Sequence, residues 1–231
     1  MSLDEQRYLK KTIKILKETD QYIVFDKPAG LLVIATPRKE ANTLLNIVNH
    51  QYRNNNTQGR LYPCHRLDRD TSGAIIFSKD KRHQKIMMDI FKNKKIKKKY
   101  IAFVQGKMSK KEGEFKSRIR HLEQSRFKAN SPAKSAVTAF RVIQENKDFS
   151  VVEIYPLTGR TNQIRIHFSE AGHPLLGERK YAIARNCPLK FRRTALHAAS
   201  LQWIDPDDRK EITVQSNLPN DMEVFLARSA N

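Results

Sequence analysis

Short apolar segments with strand-like alternation follow one another along this chain, and that succession constrains its fold most. Thr12-Ile13-Lys14-Ile15-Leu16 alternates and Tyr22-Ile23-Val24-Phe25 comes next; further runs occupy 73–78, 100–104, 136–144, 149–155, 196–204 and 210–215. Helical spacing is found in three places. Residues 41–52 align Leu44, Leu45 and Val48. Residues 81–92 align Ile86, Met87, Ile90 and Phe91, with Asp80 able to cap the start. Residues 161–171 align Ile164, Phe168 and Ala171, with Thr161 or Asn162 as cap and Gly172 as a left-handed stop. Strands outnumber helices and succeed one another directly, which favours antiparallel pairing over a doubly wound parallel sheet. The expected fold is α+β, a single domain with a largely antiparallel mixed sheet flanked by helices and loops and a core from about residue 12 to 216.

Three connections also read clearly. Asp26-Lys27-Pro28-Ala29-Gly30 is a turn, because proline fixes φ and glycine permits positive φ. Residues 53–59 form a polar, Asn-rich loop, and 107–135 a basic excursion with a hairpin near 114–121.

The chain's 231 residues are 39% hydrophobic, enough to bury a core and too apolar for disorder. No apolar run nears the roughly 20 residues that span a bilayer, and the polar start Met1-Ser2-Leu3-Asp4-Glu5 is unlike a signal peptide. No membrane partner is expected. Cys64 and Cys187 lack CxxC partners, which suits a soluble protein of a reducing cytoplasm without a disulfide framework or structural zinc. No nucleotide-binding glycine loop is found either.

Charge points to a partner. With 44 Lys+Arg against 24 Asp+Glu the net charge is +20, a balance suited to neutralising a polyanion. Residues 92–99 hold six lysines in eight positions and run directly into the strand that begins at Tyr100. Nucleic acid is the obvious anion.

Residues 65–73, His-Arg-Leu-Asp-Arg-Asp-Thr-Ser-Gly, place one carboxylate, Asp68, between Arg66 and Arg69. Flanking guanidinium groups favour the ionised acid, which can then act as nucleophile or base. A lone loop aspartate is more often a turn residue bonded to nearby amides, here those of Thr71 and Ser72. A second stretch, Leu157 to His167, turns at Gly159 into a helix on which Arg165 borders the apolar face. A half-buried arginine there needs an anion, either a substrate phosphate or a carboxylate; an ordinary exposed arginine fits the spacing equally well. Tyr100 is either a β-favouring edge residue or an aromatic that stacks on an unstacked base.

Taken together these stretches resemble the RluA-type family of pseudouridine synthases. The resemblance is carried by Asp26–Gly30, by His65-Arg66-Leu67-Asp68 with Thr71-Ser72-Gly73, and by Lys99–Gly106. It continues through Leu157–His167, Gly172–Gly177, Tyr181 and Leu196-His197-Ala198, over roughly residues 20 to 215 in the family's order. Two positions depart from the pattern: Asn162 stands where histidine is usual, and Glu178 where aspartate commonly follows the second glycine. Neither carries the central chemistry on this resemblance, so both bear on subfamily. An N-terminal RNA-binding module of the S4 type has no room ahead of a strand near residue 12.

The resemblance implies isomerisation of a uridine in ribosomal or transfer RNA, without a cofactor, after the base leaves its stack. Asp68 would be the catalytic acid residue, attacking the sugar or the base or removing a sugar proton. Tyr100 would stack on the uracil, and Arg165 would pair with Asp68 and keep it ionised. Ile166 would form an apolar wall, and Arg66 would enter the RNA stack where the base had been. Arg160 would contact phosphate, while Lys27-Pro28 and Thr71-Ser72-Gly73 would shape the pocket from behind. Two other classes fit less well. A non-catalytic RNA-binding protein has no use for a carboxylate beside phosphates. A nuclease or glycosylase wants a second carboxylate, and Asp70 would point elsewhere from an extended segment. No obligatory protein partner is evident, and a monomer is the default.

Overall fold

The computed structural model describes residues 11–54, 59–120, 132–182 and 189–229, and among them are ten strands and four helices. The fold is α+β with a mostly antiparallel mixed sheet, as the succession of strands predicts. The chain forms two compact units, Met1–Lys98 with His197–Glu223 and Lys99–Leu196 with Val224–Asn231.

In the first unit, β1 (Ile15–Glu18), β2 (Tyr22–Lys27) and β4 (Ser72–Ser78) pair antiparallel, and the two-residue β3 (Tyr62–Pro63) also pairs with β4. Chain returning from the second unit supplies β9 (Leu196–Ile204), parallel to β4, and β10 (Glu211–Gln215), antiparallel to β9. Every residue of β4 is buried. That explains its unbroken run Ala74-Ile75-Ile76-Phe77, since a strand covered on both faces has no polar alternation to keep. Ala74 and Ile76 join Tyr22, Val24, Met87, Leu201 and Trp203 in one core cluster. Phe25 meets Phe77 edge-on at 5.6 Å.

Helix α1 spans Leu44–Asn54 and α2 spans Lys81–Lys92. Asp80 caps α2 as expected, accepting the His83 amide at 2.8 Å. The first strand starts later than its alternation suggests. The Gln51 side chain accepts from the Ile13 amide at 2.8 Å and donates to its carbonyl at 3.0 Å. A side chain thus takes the place of a neighbouring strand there.

The second unit is an antiparallel sheet in the order β5-β8-β7-β6, formed by β5 (Lys97–Gln105), β6 (Glu112–Ile119), β7 (Lys134–Glu145) and β8 (Phe149–Pro156). β5 begins inside the lysine run. Much of the expected excursion at 107–135 is strand: β6 pairs with β7 from Glu112↔Arg141 to Ile119↔Lys134. Its alternating burial reflects a sheet with one covered face. The far end of the expected hairpin, from residue 121, lies outside the described residues, as does Cys187.

Helix α3 (Gln163–Glu170) lays Ile164 and Phe168 on Ala102, Val104, Phe140 and Ile154. It stops at Gly172 as predicted. His173 donates to the Phe168 carbonyl at 2.9 Å and Gly172 to that of Ser169 at 3.0 Å, the Schellman pair. The expected start is corrected. Helical residues begin at Gln163, with Asn162 of the two candidates at the N-cap; it has φ 55° and makes no side-chain capping bond.

Helix α4 (Asn220–Arg228) lies beyond the expected core. Its Phe225 packs on Phe149 at 5.3 Å and Phe191 at 5.2 Å between ring centroids. No helix among the described residues is long and apolar enough to cross a membrane.

Candidate active site

The Asp68 loop hangs from the edge where β2 and β4 meet. Asp68 is half-buried, Arg66 and Arg69 are exposed, and Leu67 is buried beneath them. Lys27, fully enclosed at the end of β2, fixes the loop by its backbone. Its ammonium donates to the carbonyls of Pro28 (3.0 Å), Arg69 (2.9 Å) and Thr71 (2.8 Å). Three carbonyls match the three donors of an ammonium group. The Gly30 amide also donates to the Arg69 carbonyl at 2.9 Å, tying the 26–30 turn to the residue after Asp68.

The other end of the loop is pinned by close approach. Gly73, at φ 110°, faces the Ala198 backbone on β9, and a Cβ there would overlap the Ala198 carbonyl. Ser72 Oγ lies 3.0 Å from His197 Nδ1, and His197 Nε2 lies 3.1 Å from the Ser216 carbonyl. A carbonyl only accepts, so Nε2 carries the ring proton and Ser72 is the donor to Nδ1. Ser216 Oγ then donates to Asp26 at 2.9 Å. His65, upstream in the loop, accepts the Ile76 amide through Nε2 at 3.0 Å and lies 4.4 Å from the Phe91 ring. Burial, and then the Lys98 charge, push its pKa down to about 3.

Tyr100, Arg160, Arg165 and Ile166 belong to the second unit. Tyr100 pairs with Ile154 on β8, and its half-buried ring packs against the cluster that also seats Ile164 and Phe168 of α3. One core therefore positions Tyr100 and the helix bearing Arg165. The start of α3 is organised by Gln163. Its Oε1 accepts from Thr158 Oγ1 (2.6 Å) and the Arg160 amide (3.0 Å), while Nε2 donates to the Val137 carbonyl and Thr138 Oγ1 (both 2.9 Å). Arg160 donates Nε–H to the Ser135 carbonyl at 3.1 Å. Ile166 is half-buried one residue beyond Arg165.

Arg165 has partners that sequence reasoning missed. Nε and Nη2 donate to the two oxygens of Glu178 at 2.6 and 2.8 Å, and Nη1 donates to Asn162 Oδ1 at 2.9 Å. The Tyr181 ring lies 5.2 Å from the guanidinium, and Tyr181 Oη accepts from Asn162 Nδ2 at 2.9 Å. The Glu178 carboxylate is wholly enclosed and also takes the amides of Lys180 (2.8 Å) and Tyr181 (3.1 Å). Burial alone would raise its pKa. The Arg165 guanidinium and the two amides outweigh burial and hold the carboxyl below its usual range. Asn162 and Glu178 thus both sit on Arg165. Local sequence conceals the pairing, since Arg179 and Lys180 follow Glu178 directly and are nearer candidates for its charge.

The architecture is that of a pseudouridylate synthase domain. It superposes on human RNA pseudouridylate synthase domain containing 4 with a TM-score of 0.78 at 21% identity, covering 99% of this chain and 96% of that one. The model of the RNA pseudouridylate synthase family matches residues 21–170. The chain is 33% identical to the uncharacterized RNA pseudouridine synthase YhcT of Bacillus subtilis, over 91% of this chain and 70% of that protein. It is 32% identical to ribosomal large subunit pseudouridine synthase D of Zymomonas mobilis, over 93% of this chain and 72% of that one. The chain belongs to the RNA pseudouridylate synthase family, among its RluA-type members, and is an isomerase acting on RNA.

Proposed function

We propose that this enzyme converts specific uridines of structured RNA to pseudouridine, with Asp68 as the catalytic residue on an extruded base. The N-glycosidic bond between N1 and the ribose breaks, the uracil turns, and a bond forms between C5 and the same ribose carbon; the C5 proton leaves and N1 takes one up, so the product is an isomer of the substrate. The observation that carries the reading is the clamping of the Asp68 loop. Lys27 and the Gly73–Ala198 approach fix its backbone, which suits a carboxylate that must meet the target nucleotide, at its sugar or its base, at a defined point.

Arg165 pairs with Asp68 in this reading and keeps it ionised, Tyr100 stacks on the uracil, and Ile166 walls the pocket. Exposed Arg66 fills the gap left in the RNA stack, and Arg160 meets a phosphate. Base extrusion costs a few kcal/mol, offset by phosphate and stacking contacts to a chain of net charge +20. The two compact units serve one catalytic domain, a view supported by a family match that runs across both. The relatives named for the large ribosomal subunit support ribosomal RNA as the first target to test. A cytoplasmic monomer without a cofactor completes the reading.

The test is tritium release from RNA labelled at uridine C5. Wild type should release tritium, and Asp68→Asn should lose release while binding the same RNA with similar affinity. Undiminished release by the variant removes Asp68 from the mechanism.

A further inference from the structure

Arg165 is held by a cage that includes Glu178, Asn162 and Tyr181. Glu178 takes the Nε–Nη2 edge of the guanidinium, Asn162 takes Nη1, and Tyr181 covers a face. The fork leaves the Glu178 carboxylate little freedom, because the Lys180 and Tyr181 amides anchor it as well. Its placement starts one residue earlier. Gly177 has φ 74°, and a Cβ there would overlap the Arg193 carbonyl, so the chain enters Glu178 along a fixed path.

We propose that Glu178 is a positioning residue for Arg165, and that its length is matched to that of Asn162. Neutral histidine offers one acceptor and one donor nitrogen, the roles Asn162 fills toward Arg165 and Tyr181. Both residues tolerate the left-handed backbone found at this position, φ 55°. Asparagine is a shorter arm than histidine, and glutamate a longer arm than aspartate. Exchanging Asn162 for histidine and Glu178 for aspartate would alter the arms of one guanidinium cage in opposite senses, so each exchange should compensate the other.

The inference rests on the role given to Arg165 above, and its test separates the two. Turnover of C5-tritiated RNA and the NMR signal of the Arg165 Nε–H are followed in Glu178→Gln, Glu178→Asp, Asn162→His and the Asp/His double variant. In wild type the Nε–H should exchange slowly, and in Glu178→Gln that protection should collapse. Misplacing a catalytic partner by about 1 Å costs about 100-fold in rate. A fall in kcat of that order with nearly unchanged KM is therefore expected for Glu178→Gln. Glu178→Asp and Asn162→His should each lower kcat, and the double variant should recover most of the loss.

Unchanged Nε–H protection in Glu178→Gln, or unchanged kcat, overturns the positioning role while leaving the proposed reaction standing. Additive losses in the double variant overturn the length matching. Full activity of Arg165→Ala overturns the role of Arg165 itself, and the catalytic purpose of the cage with it.

Discussion

The Asp68 loop and the Arg165 cage place opposite charges by different means. At the loop, the side chains of Lys27 and Ser72 and the backbone of Gly73 grip main chain or stand behind it. At the cage, the charged head group itself is gripped, by a carboxylate, an amide and an aromatic face. Backbone gripping tolerates no loss of a clamp, since several carbonyls lose their donor at once. Side-chain gripping can be retuned by changing two arms together, which is the relation proposed for Asn162 and Glu178. The first strategy preserves a shape, whereas the second permits variation around a fixed charge.

The sharpest way to break this comparison is Lys27→Met. The substitution keeps an unbranched apolar chain but leaves the Pro28, Arg69 and Thr71 carbonyls without the ammonium. Breaking a buried charged network costs about 3–5 kcal/mol, so a large drop in the urea midpoint is expected, with tritium release lost even where the protein stays folded. Crystals of Lys27→Met with the 65–73 loop unmoved and full turnover would show that the clamp is dispensable.

This difference also explains what is legible in the sequence. The Asp80 cap, the Gly172 stop and the unbroken β4 run are local signals, set by neighbours a few residues away, and each has its predicted place. The 65–73 loop is legible for the same reason, as a contiguous motif. The cage is not. Arg165 reads as needing an anion, but its partner Glu178 lies 13 residues on, past a helix stop and a tight turn. Nothing in helical or strand periodicity links those positions. Asn162 reads as a helix cap because its type suits that task; its side chain is instead engaged by Arg165 and Tyr181. Strand β6 is hidden by its polar outward face, and α4 by lying past the last expected strand, although Asp221 and Glu223 in its first turn and Arg228 in its last suit the helix dipole.

Acid should separate the two regions by a smaller effect. His65 is held neutral in the folded protein, its pKa pushed down to about 3 from 6.5 by burial and then by Lys98. Below pH 6.5 the unfolded chain binds a proton that the folded chain refuses. Stability therefore falls as pH drops from 6.5 toward about 3, by at most about 1.4 kcal/mol per pH unit. Glu178 behaves differently. Its folded pKa lies below 4.5, so its contribution is complete above 4.5 and is lost as pH falls through the folded value. Between about pH 6 and pH 5 the Ile76 amide, which His65 accepts, should lose exchange protection while the α3 amides keep theirs. Protection lost first in α3, or stability flat across that range, would reverse the assignment.

The smallest effect calibrates the others. Asp80 caps α2 and also meets His83 Nδ1 at 2.6 Å, away from the residues assigned to catalysis. Asp80→Ala should cost about 1 kcal/mol, the usual loss of an N-cap. Tritium release per folded molecule should not change. That combination, a measurable fall in thermal midpoint with kcat intact, defines how destabilisation alone looks in this enzyme. Glu178→Gln should show the converse, a large fall in kcat with the Nε–H signal altered. If Asp80→Ala lowered kcat as much as Glu178→Gln, turnover would follow overall stability, and the distinction between gripping a backbone and gripping a charge would have no functional meaning here.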